Sequence, residues 1–108
     1  MRECISYCMD TQAVCLETLA HCLQTGGKHA APSLISVLMN CAEICEASAS
    51  FVRLGSEFQE SICTLCAEVC ERCIEECENL PDDPLLQECA EICRHCAESC
   101  RDMAGSRS

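Results

Sequence analysis

Apolar and polar positions alternate along this chain with a period of three and four, not two. From residue 63 the recurring small apolar positions are 63, 66, 70, 73 and 77, then 89, 93, 96 and 100, and all nine are cysteine. The residues between them are charged: Glu68, Glu71, Arg72, Glu75 and Glu76, then Glu91, Arg94, Glu98 and Arg101. Such spacing draws one stripe down an α-helix, the a and d positions of a heptad. A half-buried strand would alternate every second residue, and this pattern does not. Earlier in the chain Cys8, Cys15 and Cys22 recur every seven residues with Cys4 one turn before them, and Cys41 and Cys45 make a further pair.

Breakers divide these stripes into four. Gly26 and Gly27 close the first segment and Pro32 opens the second near its first turn. Gly55 closes the second, and Ser56 to Gln59 reads as a capping box for the third. Asn79, Pro81 and Pro84 punctuate the last boundary, with Asp83 as N-cap and Pro84 at N1. The predicted helices are 2–25, 32–54, 57–79 and 84–103. Connections this short force neighbouring helices to run antiparallel. The expected fold is all-α: one domain, residues 1–108, an up-down-up-down four-helix bundle whose cysteines line the core. Val37, Leu38, Leu54, Ile62, Val69, Ile74 and Ile92 flank the stripes and are expected to pack helix to helix. Met9, Met39 and Met103 read as core or boundary filler, with Met9 and Met103 near one end of the bundle.

Composition changes the picture at one residue type. Of 108 residues 15 are cysteine, while there are no Trp, one Tyr and two Phe. Cysteine buries little apolar area, so packing alone does not account for so many. A disulfide framework is the usual explanation in secreted chains. Here the count is odd, and the opening MRECISYCMD offers no basic, apolar and small-residue leader pattern, so the expectation is a reducing cytoplasm. A net charge of −11 argues against a nucleic-acid partner. No apolar stretch reads as the roughly 20 residues of a membrane span.

What remains is metal. Helical residues four apart are surface neighbours, with Cβ atoms roughly 5–6 Å apart. Six C-x-x-x-C pairs follow: Cys4/Cys8, Cys41/Cys45, Cys66/Cys70, Cys73/Cys77, Cys89/Cys93 and Cys96/Cys100. Two such thiolates can hold an ion of low coordination, a third sulfur can come from a facing helix, and soft Cu(I) suits this set. Zinc wants four ligands and usually draws C-x-x-C pairs from turns, although C-x-x-C also occurs here at 63/66, 70/73 and 93/96. A zinc or mixed-metal thiolate buffer and a disulfide-stapled helical protein therefore stand as alternatives. A chaperone or thiol oxidoreductase would need an exposed reactive pair, for which Cys4 and Cys8 are the candidates; no other feature suggests an enzyme. His21 and His95 each precede a cysteine and His29 lies in the first loop, positions typical of surface or boundary residues.

The stretch Cys63 to Cys77 (CTLCAEVCERCIEEC), the matching Cys89 to Cys100 (CAEICRHCAESC) and CAEIC at 41–45 resemble the bacterial copper storage proteins, cysteine-lined four-helix bundles. The resemblance implies a tube filled with several Cu(I) ions, bound mainly by C-x-x-x-C pairs, and a homotetramer of the cytosolic branch. All fifteen cysteines (4, 8, 15, 22, 41, 45, 63, 66, 70, 73, 77, 89, 93, 96 and 100) are the candidate ligands: Cys4, Cys8, Cys15, Cys22, Cys41, Cys45, Cys63, Cys66, Cys70, Cys73, Cys77, Cys89, Cys93, Cys96 and Cys100. Private pairs would hold about seven ions, and bridging thiolates roughly twice that. The chain departs from the fuller ladder of that branch at Thr11, Thr18 and Leu19, at Gly26, and before Cys41. Loop 78–84 also lacks the histidines expected at that end of the tube, which leaves His29 in the other loop.

Overall fold

Glycine and proline set the helix ends where the sequence places them. The computed structural model describes residues 1–105, with α1 Arg2–Thr25, α2 Pro32–Leu54, α3 Gln59–Glu78 and α4 Pro84–Gly105. A 3-10 turn, Gly27–Ala30, joins α1 to α2. Gly55 has φ 61°, a left-handed conformation that costs glycine nothing. Its N–H bonds Val52 O (3.1 Å), and the Ser56 N–H bonds Phe51 O (3.1 Å). This double closure is a Schellman motif. At the last boundary Asp83 Oδ1 accepts the N–H groups of Leu85 (2.9 Å) and Leu86 (3.2 Å), the N-cap expected before Pro84.

The capping box at Ser56 does not form, and α3 begins two residues late. The Ser56 N–H that Gln59 would have to reach is already bonded to Phe51 O. Ser56 Oγ instead accepts the Phe58 N–H (3.0 Å), and the Gln59 side chain is buried.

Each helix packs against its neighbours in sequence, and α1 against α4 closes the ring. Among the described residues no Cα of α1 comes within 8 Å of α3, nor of α2 within 8 Å of α4. The result is a square tube measuring 43 × 19 × 18 Å. Its inner stripe is Cys4, Cys8, Thr11, Cys15, Thr18 and Cys22 on α1, and Leu34, Leu38, Cys41, Cys45, Ser48 and Val52 on α2. From α3 come Gln59, Cys63, Cys66, Cys70, Cys73 and Cys77, and from α4 Leu86, Cys89, Cys93, Cys96 and Cys100. Ala42, Ala49, Ala67, Ala90 and Ala97 are buried with them. Val37 and Leu38 are buried as expected, and Ile62, Val69, Ile74 and Ile92 are half-buried.

Three apolar assignments fail. Leu54 ends α2 beyond the last buried layer and is 81% exposed. Met9 and Met39 lie on the outer face, 37% and 52% exposed. Met103 is half-buried and lines a cavity with Met1, Glu3 and Cys4. The membrane reading also needs correction, because α2 is long and apolar enough, by length and composition alone, to pass for a span. Its alanines and cysteines raise its hydropathy. The stripe from Leu34 to Val52 is nonetheless buried inside the bundle.

Candidate metal centre

All fifteen cysteines are free and buried, and sulfurs from all four helices meet down the tube. One register organises them. Cys8 meets Cys96 (3.8 Å between sulfurs), and seven residues along α1 Cys15 meets Cys89 (3.9 Å), seven residues back along α4. Cys4 and Cys8 both approach Cys100 at 3.8 Å. Between α2 and α3, Cys41 faces Cys70 and Cys45 faces Cys66, each at 3.8 Å. Cys41 and Cys45 also reach across to Cys93 (4.0 Å) and Cys96 (3.9 Å) on α4. A disulfide would need sulfurs about 2.05 Å apart.

These contacts gather into sets whose sulfurs lie within 4.8 Å of one another. Cys15, Cys41, Cys73 and Cys93 form one set, with one thiol from each helix. Cys8, Cys66, Cys96 and Cys100 form another, and Cys45, Cys66, Cys70 and Cys96 a third. Three-sulfur sets lie nearer the ends: Cys4, Cys63 and Cys100, and Cys73, Cys77 and Cys89. Cys66, Cys73, Cys96 and Cys100 each belong to two of these sets, so neighbouring sites share a sulfur.

Proton affinity is divided among the thiols. Cys15, Cys45 and Cys100 are pushed up, first by hydrogen bonds to neighbouring sulfurs and then by burial. Cys41, Cys66 and Cys89 are lowered by hydrogen bonding with adjacent sulfurs, first with Cys15 for Cys41 and Cys89 and first with Cys100 for Cys66. Cys22 stands apart: burial raises it first, then the negative charges of Asp83 and Cys89.

Three hydroxyl residues and Gln59 complete the lining. Thr11 and Thr18 occupy cysteine positions of the α1 stripe, and their hydroxyls donate to Ile92 O (3.5 Å) and Val14 O (2.7 Å). Ser48 stands on the α2 stripe with its hydroxyl buried and without a partner. The sequence signal for it was its place three residues after Cys45, masked by its being neither apolar nor a thiol. Asp83, read only as a cap, also accepts His21 and His29 at its second oxygen. Those interactions and the Leu86 N–H outweigh the opposing effect of burial and hold its carboxyl at about 2. His95 lies outside the tube, stacked on Tyr7 with ring centroids 5.5 Å apart.

The chain matches the family model described as copper storage protein over residues 1–105. A cysteine-rich protein of Bacillus subtilis (strain 168), YhjQ, is 37% identical over 74 residues, 68% of each chain. A crystal structure of a protein from Nitrosospira multiformis superposes with a TM-score of 0.89 at 40% identity, covering 97% of this chain and 94% of that one. The Cu(I)-bound copper storage protein BsCsp3 superposes at 0.87 with 37% identity, covering 94% of each chain. The apo form of copper storage protein 3 from Bacillus subtilis gives 0.85 with 35% identity, covering 95% of this chain and 97% of that one.

Proposed function

Because the chain belongs to the copper storage protein family and stores several Cu(I) ions on thiolates inside a four-helix bundle, we propose that all fifteen buried cysteines are the ligands. The observation that carries this is the overlap of the sulfur sets at Cys66, Cys73, Cys96 and Cys100. A sulfur common to two sites bridges two ions, so the tube fills as sulfur-bridged copper–thiolate clusters and not as isolated mononuclear centres. Cu(I) favours soft thiolate at low coordination number. Each arriving ion displaces thiol protons, and affinity falls as the pH drops.

The role is binding without catalysis. The whole chain acts as one bundle domain. A reducing cytoplasm is the compartment we assign to it, a setting that keeps thiols free for metal, and cell fractionation checks it. The net charge of −11 disfavours nucleic acid, and α2 gives its apolar stripe to the tube and not to a membrane. Met9, Leu16 and Leu23 recur every seven residues on the outside of α1, exposed at 37%, 48% and 59%, and support association into a homo-oligomer, read as a tetramer.

The test is an anaerobic titration of the reduced protein with Cu(I) in competition with a coloured Cu(I) chelator. Bridging thiolates predict a breakpoint near two ions per pair of thiols, about fifteen per chain, against about seven for private pairs. A breakpoint at one or two ions would overturn the ligand assignment.

A further inference from the structure

The loop end of the bundle holds a second group of metal-ligating side chains, and none of its members is a cysteine. His21 comes from the last two turns of α1, His29 from the 3-10 turn, and Asp83 from the residue before α4. His21 Nε2 lies 2.7 Å from Asp83 Oδ2, and His29 Nε2 lies 2.9 Å from the same oxygen. The two rings meet edge to face with centroids 5.8 Å apart. Three donors from three elements thus converge on one point. The direction of Oδ2 is set by the other carboxylate oxygen, which holds the N–H groups of Leu85 and Leu86. Outer contacts of this kind orient ligands in metal sites. The Asp83 and His29 side chains are 13% and 22% exposed, and His21 is 37% exposed. Asp83 and His29 also border a cavity of about 460 Å³ that opens to solvent and leaves room for a water ligand. Lys28 and Asp82 line the same cavity with opposite charges.

We propose that His21 Nε2, His29 Nε2 and Asp83 Oδ2 form a site for one divalent first-row cation, Zn²⁺ by its chemistry, separate from the thiol tube. Two imidazoles, one carboxylate and a water make a tetrahedral set that zinc accepts. Soft Cu(I) is drawn to the sulfurs next door, so the two donor sets sort two classes of ion. A bound cation replaces the shared hydrogen bonds at Oδ2 and ties α1, the turn and α4 together at the end of the tube, beside Cys22.

The test uses protein loaded anaerobically with Cu(I), so that the thiols are occupied; this step rests on the storage reading, and the copper content is measured separately. Zinc sulfate is the probe, followed by equilibrium dialysis, metal analysis and X-ray absorption at the zinc edge. The expected result is one zinc per chain with nitrogen and oxygen neighbours. In His29→Gln and His21→Gln its affinity should fall at least tenfold while the copper content is unchanged. Equal zinc binding by the wild type and both variants would overturn the site, as would sulfur neighbours around zinc with copper released. Loss of thermal stability in the variants without zinc binding by the wild type would make the cluster a loop clamp only. A low copper content with zinc still lost in His29→Gln would count against the storage reading and leave this site standing.

Discussion

Ser48 is the residue whose chemistry and place agree least. Its hydroxyl is buried and unpartnered, and such a group costs about 1–3 kcal/mol of desolvation. The register that sets Cys45 against Cys66 puts Ser48 level with Cys63, beside the three-sulfur set of Cys4, Cys63 and Cys100. A thiol there would give that set one sulfur from each helix. Ser48→Cys is therefore expected to raise the Cu(I) breakpoint by about one ion, since each bridging thiolate adds roughly one, with no loss of thermal stability. An unchanged breakpoint would show that this layer does not bind copper. Thr11 and Thr18 differ, because their hydroxyls already bond backbone carbonyls and carry no such penalty.

At the scale of the element, α4 depends on Asp83. The carboxylate satisfies two of the first N–H groups of the helix and holds two histidines from other elements. Asp83→Ala should cost about 1 kcal/mol from the cap alone. Its folded pKa is about 2, below the roughly 3.9 of an unfolded aspartate. The stabilisation is therefore fully present above pH about 4 and is lost as the pH falls through about 2. Denaturant melts of copper-free wild type and Asp83→Ala should show a stability gap that narrows over this range. A gap independent of pH would mean that the Asp83 charge contributes nothing. The same element accounts for the histidines read as surface residues: His21 precedes Cys22, so it leaves the inner stripe, but the turn of the chain at Pro84 brings Asp83 back to meet it.

Across the whole molecule, apolar closure and metal capacity overlap at the ends of one tube, where Leu38 and Leu34 stand level with Cys73 and Cys77. Leu34, Leu38 and Leu86 fill layers at the loop end, where α2 has no cysteine, and Val52 and Ala49 serve the other end. Between them the lining is almost entirely thiol. Burial of those leucines and of the alanine-lined helix contacts does not need metal, so the bundle stands before copper arrives. Copper-free, reduced protein is expected to keep a fully helical circular dichroism spectrum and to sediment as a multiple of the chain mass. A spectrum that becomes helical only on adding Cu(I) would reverse the order of folding and binding. Monomeric sedimentation would remove the role given to Met9, Leu16 and Leu23.

The helices, their order and the inward direction of every cysteine were legible in the sequence, because heptad spacing and glycine or proline breaks are local properties. Ser56 misled because its N–H was satisfied from the preceding helix, an interaction invisible in four residues of sequence. Leu54, Met9 and Met39 misled because apolar character does not say on which side of a stripe a residue falls. The C-x-x-x-C pairs describe sulfurs along one helix, whereas the short contacts, Cys8 to Cys96 and Cys41 to Cys70 among them, run between helices. Only the tertiary structure could decide these, since the register between helices is set by packing residues up to 96 positions apart. It is this register that lets one sulfur belong to two sites and brings His21, His29 and Asp83 to a single oxygen.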